Sequence, residues 1–235
     1  MKSPSLKQNI DSQASWQRFT AKSILPSRSS VLRLMGVPAD KREGMREVDE
    51  PFAQAIELFE AKAQPRGGFR ICEPKEIAPK LFVGCENSPL YERLLQAGSC
   101  ALFLVTVGQG PEDEAVDRLA KGEYLLGTLL DTLASEAAER VVDRVQERVI
   151  SELGIKKAVR FSPGYGGWSL EAQPILLSSM EATGQNIKLT EALMMLPKKS
   201  VSGVIIPQLN SKENTPCEHC ELSECPKQSC WDNES

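Results

Sequence analysis

Side chains suited to binding a small polar ligand occur together in residues 160–168, whose sequence is RFSPGYGGW. Arg160 ends a predicted strand, and its planar guanidinium can hold a carboxylate through two parallel hydrogen bonds. The glycines that follow let the main chain approach a ligand closely, and Tyr165 and Trp168 offer flat apolar surfaces. An ordinary strand-to-helix turn with an ion-paired surface arginine would have the same composition, so local chemistry leaves both interpretations open.

A second group of reactive side chains lies near the C-terminus, where four cysteines are separated by two, four and four residues. They are Cys217, Cys220, Cys225 and Cys230. Thiolates among carboxylates need a cation, which favours a zinc or iron-sulfur site. The spacing matches neither a common zinc finger nor a ferredoxin sequence, and a flexible tail with free or oxidisable thiols is the alternative. His219, the single histidine of the chain, is an alternative ligand to one of the cysteines.

Composition limits the classes of function. The chain has 28 Lys and Arg against 32 Asp and Glu, a formal net charge of −4, whereas dedicated nucleic-acid binders usually carry a basic excess. No apolar leader is visible, and the longest apolar run, Ala101–Val105, is far too short to cross a bilayer. We therefore expect a cytoplasmic protein without nucleic-acid or membrane partners. The odd total of seven cysteines favours thiols or metal ligands, with Cys72, Cys85 and Cys100 as small core residues.

The pattern of apolar residues predicts a mixture of helices and strands. Helices are expected at 48–63, 89–96, 111–153 with a hinge near 121–122, and roughly 170–182. The second half of the third helix carries an apolar stripe from Leu126 to Val149, with Glu136 and Arg140 paired four apart outside it. Strands are expected at 69–72, 80–84, 101–106, 157–161 and 201–206. Residues 1–30 are polar and predict a poorly ordered arm with a short helix near Trp16, and the composition changes again beyond Asn210. The elements lack a regular βαβ rhythm, which favours an α+β domain with appendages at both ends.

Longer motifs link this chain to a known family. Residues 160–165 match the pattern R-x-x-P-G-Y, and K-L-T-E, M-x-P and S-V-S-G follow in the same order at 188–191, 195–197 and 200–203. In this order the motifs resemble the reactivation domain of cobalamin-dependent methionine synthase, over about residues 99–207. The resemblance implies an α+β fold with a bent antiparallel sheet flanked by helices, occupying residues 31–209 between the arm and a Cys-rich tail at 210–235.

The resemblance also implies a ligand site. In that family S-adenosylmethionine lies along the R-x-x-P-G-Y turn. Arg160 would hold the methionine carboxylate, Ser162 and Gly164 would offer main-chain contacts, and Tyr165 would be the aromatic neighbour.

The partner for the ammonium group of the ligand departs from the family pattern. The family has an acidic residue on the preceding helix, where this chain has Ser135, with Glu136 adjacent and Glu139 one turn further along. The family also has a later tyrosine near the adenosine, whereas no tyrosine follows Tyr165 here.

By resemblance, the expected function is that of a stand-alone reactivation protein, a methyltransferase component that methylates cob(II)alamin reductively with S-adenosylmethionine. The cobalamin would be carried by a partner methyltransferase, reached in trans, and an electron donor such as flavodoxin or ferredoxin would supply the electron. One alternative is a non-catalytic S-adenosylmethionine-binding adaptor of a corrinoid protein. Another is a metal or iron-sulfur electron-transfer module, in which the family-like core serves only for docking.

Overall fold

The computed structural model of the chain describes residues 13–165 and 167–208. Its strands are β1 (Ser15–Arg18), β2 (Arg66–Cys72), β3 (Cys100–Thr106), β4 (Ala158–Phe161), β5 (Lys188–Leu189), β6 (Met195–Leu196) and β7 (Ser200–Pro207). Five of them form one antiparallel sheet in the order β1-β2-β3-β7-β4, and β5 pairs with β6 in a separate hairpin. The α+β class with an antiparallel sheet is therefore confirmed.

Helices cover both faces of the sheet. They are α1 (Arg28–Leu34), α2 (Ala39–Arg42), α3 (Asp49–Lys62), α4 (Pro74–Leu81), α5 (Pro89–Gln96), α6 (Gly110–Ala120), α7 (Tyr124–Leu153) and α8 (Gln173–Ser179). Apolar side chains of α1, α3, α6 and α7 build the core on one face, and those of α4, α5 and α8 build the core on the other. The described residues thus form three layers, with the sheet in the middle.

The central strand β3 contributes to both cores. All seven of its residues are buried. Because successive side chains point to opposite faces, Phe103 and Val105 pack against α7, whereas Leu102 and Leu104 pack on the side of α8. The continuous apolar strand predicted from the sequence is confirmed.

The long helix α7 lies on the first face. Its predicted apolar stripe is buried throughout: Leu126, Leu130, Leu133, Ala137, Val141, Val145 and Val149. The hinge expected near residues 121–122 is also confirmed, because α6 ends at Ala120 and α7 begins at Tyr124. The predicted pair is present, since Glu136 Oε1 lies 4.0 Å from Arg140 Nη2, but Glu136 is buried and its Oε1 also lies 3.9 Å from Arg33 Nη2.

Two local predictions are wrong. Trp16 lies in strand β1, not in a short helix, because its indole covers Gly68 of β2 and donates a 3.1 Å hydrogen bond to the Met180 carbonyl. The run at residues 80–84 is not a strand either. Pro74 begins α4 instead, and the three- and four-residue spacing of Ile77, Ala78 and Leu81 buries one face of that helix.

The remaining helix predictions agree with the structure within a few residues. The helices expected at 48–63 and 89–96 are α3 and α5. The helix expected at 170–182 is shorter, since a 3-10 turn at Leu170–Ala172 precedes α8. Within the described part of the chain, no helix has the length and apolar character needed to span a membrane. The boundary predicted at residue 210 lies outside the described residues.

Candidate functional site

Strand β4 forms an edge of the sheet and brings Arg160 against helix α7. Side chains alternate along a strand, so Phe161 enters the core beside α8 while Arg160 faces the opposite side. There Nη1 of Arg160 donates to Asp143 Oδ1 at 2.7 Å, and Nη2 donates to Glu139 Oε2 at 3.3 Å. The Arg160 side chain is 18% exposed, so these ion pairs are partly shielded from water.

The two carboxylates belong to a longer row on α7. Asp131, Ser135, Glu139 and Asp143 are spaced by four residues, which places them on one side of the helix. At the other end of the row, Lys199 Nζ lies 2.8 Å from Asp131 Oδ1 and donates to Ser135 Oγ at 2.8 Å. We call these four residues with Arg160 and Lys199 the charged strip. It offers both signs of charge, as a zwitterionic ligand requires.

The turn after β4 lies next to Arg160. Gly164 has a φ of 93°, a conformation that favours glycine, and its N–H donates to the Trp168 carbonyl at 2.7 Å. A main-chain contact from Gly164 to a ligand would therefore use its carbonyl oxygen. Tyr165 is 58% exposed and leaves its ring available to a ligand, while Ser162 is half-buried.

Trp168 is a core residue and supports the turn from below. It is 1% exposed, so the suggestion that it offers a surface to a ligand is wrong. Its ring stacks on Phe82 with centroids 4.9 Å apart and an interplanar angle of 7°. Its Nε1 donates to the Leu81 carbonyl at 2.8 Å. These contacts fix the far end of the turn to α4.

The segment between β6 and β7 is held from two sides. Glu112 is buried in the first turn of α6 and accepts a 3.1 Å hydrogen bond from the main-chain N–H of Lys198. Its Oε1 also forms a 2.9 Å ion pair with Lys198 Nζ. This hydrogen-bonded carboxylate raises the pKa of Lys198. The next residue, Lys199, joins the charged strip, and Ser200 Oγ donates to the Pro197 carbonyl at 2.6 Å. The S-V-S-G segment therefore begins at a fixed position beside α7.

The structure brings some of the expected site residues together. Arg160 and Glu139 are in direct contact, whereas Ser135 contacts Lys199. Sequence reasoning missed Asp143, Asp131 and Lys199. The four-residue spacing of carboxylates along the predicted helix could have indicated the first two, but no local signal indicates Lys199.

The cysteines divide into two groups. Cys100 is buried as expected for a core residue, while Cys72 and Cys85 are half-buried. Within the two described ranges, no cluster of three or more His, Cys, Asp or Glu could hold a metal ion. Cys217, Cys220, Cys225 and Cys230 lie outside those ranges, and their metal or iron-sulfur site stays a prediction.

An antiparallel sheet between helices, with a glycine-containing turn beside a strip of both charges, defines an α+β domain with a candidate site for a small charged ligand. A model of the family "Vitamin B12 dependent methionine synthase, activation domain" matches residues 95–216, which is more than half of the chain and includes α7, the turn and β7. The chain belongs to this family of reactivation domains.

Solved structures agree on the fold. A structure described as the MetH reactivation domain bound to AdoHcy superimposes with a TM-score of 0.63 at 16% sequence identity. The match covers 85% of this chain and 80% of that one. A comparison with curated proteins gives no match.

Proposed function

We propose that this chain binds S-adenosylmethionine along residues 160–165 and supports reductive methylation of cob(II)alamin carried by a separate methyltransferase. The observation that carries the proposal is the charged strip, which combines a half-buried guanidinium with carboxylates directly beside the R-x-x-P-G-Y turn. The related MetH domain bound to AdoHcy supports the same class of ligand. The chain would act in trans, with an external electron donor.

The amino-acid end of the ligand fits the two signs of charge in the strip. Its carboxylate would pair with Arg160, and its ammonium group would lie near Glu139 or Asp143, since Ser135 carries no charge. A guanidinium has five N–H donors, and the bonds to Asp143 and Glu139 use two of them. Arg160 can therefore donate to a ligand carboxylate while it keeps a hydrogen bond to Asp143 or Glu139.

The chemistry of the reaction belongs to the two substrates. The sulfonium supplies the methyl group, and one external electron makes the cobalt of the partner nucleophilic enough to take it. The chain itself contributes position: Arg160 fixes one end of the ligand, Tyr165 covers its apolar part, and the segment 195–203 would lie near the corrin of the partner. Proton transfer by histidine is not needed in this scheme.

Removal of the Arg160 side chain is expected to weaken S-adenosylmethionine binding by about 10- to 100-fold, because one charge-assisted contact to the ligand carboxylate is lost. Calorimetry on wild type and Arg160→Ala measures the change. Arg144→Ala is the matched control, since Arg144 lies on α7 and forms an exposed ion pair there with Glu147. Equal affinity of wild type and Arg160→Ala would show that Arg160 does not bind the ligand.

In a trans assay, the chain should convert cob(II)alamin on a cognate corrinoid protein to methylcobalamin when S-adenosylmethionine and a reductant are present. The cobalamin spectrum and the formation of S-adenosylhomocysteine report turnover. Arg160→Ala and Tyr165→Ala should slow the reaction, because both side chains are proposed to orient the ligand. If the partner is reduced but never methylated while the ligand still binds, the chain is a non-catalytic adaptor and not a methyltransferase component.

A further inference from the structure

Two cysteines that the proposed reaction does not use lie opposite each other in the sheet. Cys72 ends β2, and its partner in the antiparallel register is Cys100, the first residue of β3. Directly opposite residues share one face of a sheet, with Cα atoms about 4.5 to 5.5 Å apart, a range that lies within the span of natural disulfides. Both cysteines are free thiols.

The surroundings of the two sulfurs differ. Cys100 is fully buried, and its thiol donates to the Cys72 carbonyl at 3.3 Å. Cys72 is only half-buried, and its thiol donates to the Arg70 carbonyl at 3.6 Å. Burial raises the pKa of both thiols, and the pKa of Cys100 is raised further by the nearby Cys72. Because Cys72 is the more exposed of the two, it is the thiol that an external oxidant can reach, with Cys100 behind it.

We propose that Cys72 and Cys100 are a site of reversible covalent modification, at which a small-molecule disulfide oxidises them to a cross-strand disulfide. The Cys72 thiolate attacks the external disulfide and releases one small thiol. Cys100 then loses its proton and displaces the second small thiol from Cys72. Two protein thiols are oxidised, one external disulfide is reduced to two thiols, and an excess of small thiol reverses the reaction.

The new bond would close a loop that supports the turn after β4. Residues 72–100 include α4 and α5, and within them Leu81 accepts the hydrogen bond of Trp168 and Phe82 stacks on its ring. Trp168 in turn accepts the hydrogen bond of Gly164. A covalent link between the two ends of this loop restricts its unfolding and stabilises the platform beneath residues 160–168.

Peptide mapping of the full chain after equilibration in glutathione buffers of stepped potential tests the proposal. Trypsin separates the three core cysteines: Cys72 falls in residues 71–75, Cys85 in 81–93 and Cys100 in 94–118. The expected product joins 71–75 to 94–118, has lost the mass of two hydrogen atoms, and returns to two peptides on reduction. The oxidised chain should unfold at a temperature about 5 to 10 °C higher than the reduced chain.

Substitutions assign the link. Cys72→Ser should abolish both the joined peptide and the thermal shift, whereas Cys85→Ser should leave both unchanged. A variant with Ser at the four C-terminal cysteines should also keep the link. The proposal is overturned if 71–75 and 94–118 stay separate at every potential, or if either peptide joins one that contains Cys85 or a C-terminal cysteine instead. The test measures a disulfide between two peptides and an unfolding temperature, so its result does not depend on which ligand residues 160–165 bind.

Discussion

Replacement of Gly203 by alanine is expected to lower the free energy of unfolding by about 3 kcal/mol or more, because the new methyl group has no space. A Cβ at this position would overlap the Phe161 carbonyl oxygen and lie 2.8 Å from Cε1 of Phe103. The carbonyl belongs to the main chain of β4 and cannot rotate away. Relief of the clash must therefore move β4, the strand that carries Arg160.

Urea unfolding of Gly203→Ala against Gly98→Ala measures this effect. Gly98 is a suitable control because no atom lies within 4 Å of the place that an added Cβ would occupy, so its substitution should change stability by less than about 0.5 kcal/mol. Equal midpoints for wild type and Gly203→Ala would contradict the close approach of β4 and β7 at this point. If the variant folds, its affinity for S-adenosylmethionine should also fall, since Arg160 moves with β4.

Elements with strong local patterns could be predicted from the sequence. The apolar run of β3 and the stripe on α7 are set by burial on two faces and on one face, respectively, so each has a periodicity that can be read directly. Strand β1 has no such pattern. Trp16 is placed there by its contact with Gly68, which lies 52 positions away in the sequence and carries no signal visible near residue 16.

The candidate site shows the same division. Arg160 and Glu139 were found through motifs, and their contact follows from the alternation of side chains on β4. The role of Lys199 depends on how Glu112 and Lys198 fix the chain between β6 and β7, which is a tertiary arrangement. The position of Trp168 could not be predicted, because a tryptophan in a glycine-rich turn has the same local sequence whether its ring faces solvent or the core.

The second large effect is expected for Trp168→Ala, which should lower the free energy of unfolding by about 3 to 5 kcal/mol. The substitution removes a fully buried ring, its stacking on Phe82 and the hydrogen bond to the Leu81 carbonyl. Trp168→Phe is the matched control: it keeps an aromatic ring against Phe82 but leaves the Leu81 carbonyl without this donor, at a cost of about 1 to 3 kcal/mol. Thermal and urea unfolding should rank wild type as the most stable, Trp168→Phe as intermediate and Trp168→Ala as the least stable.

The same pair of variants separates support of the turn from general stability. At a temperature where Trp168→Ala remains folded, its affinity for S-adenosylmethionine should still be at least about tenfold weaker. The main-chain carbonyl of residue 168, which accepts from Gly164, is then no longer anchored by a ring. Trp168→Phe should bind nearly as well as wild type, because the ring still anchors the main chain of residue 168. Calorimetry on the folded proteins measures both affinities. If folded Trp168→Ala binds as tightly as wild type, the anchor beneath the turn serves stability alone and the ligand geometry is set by Arg160 and α7.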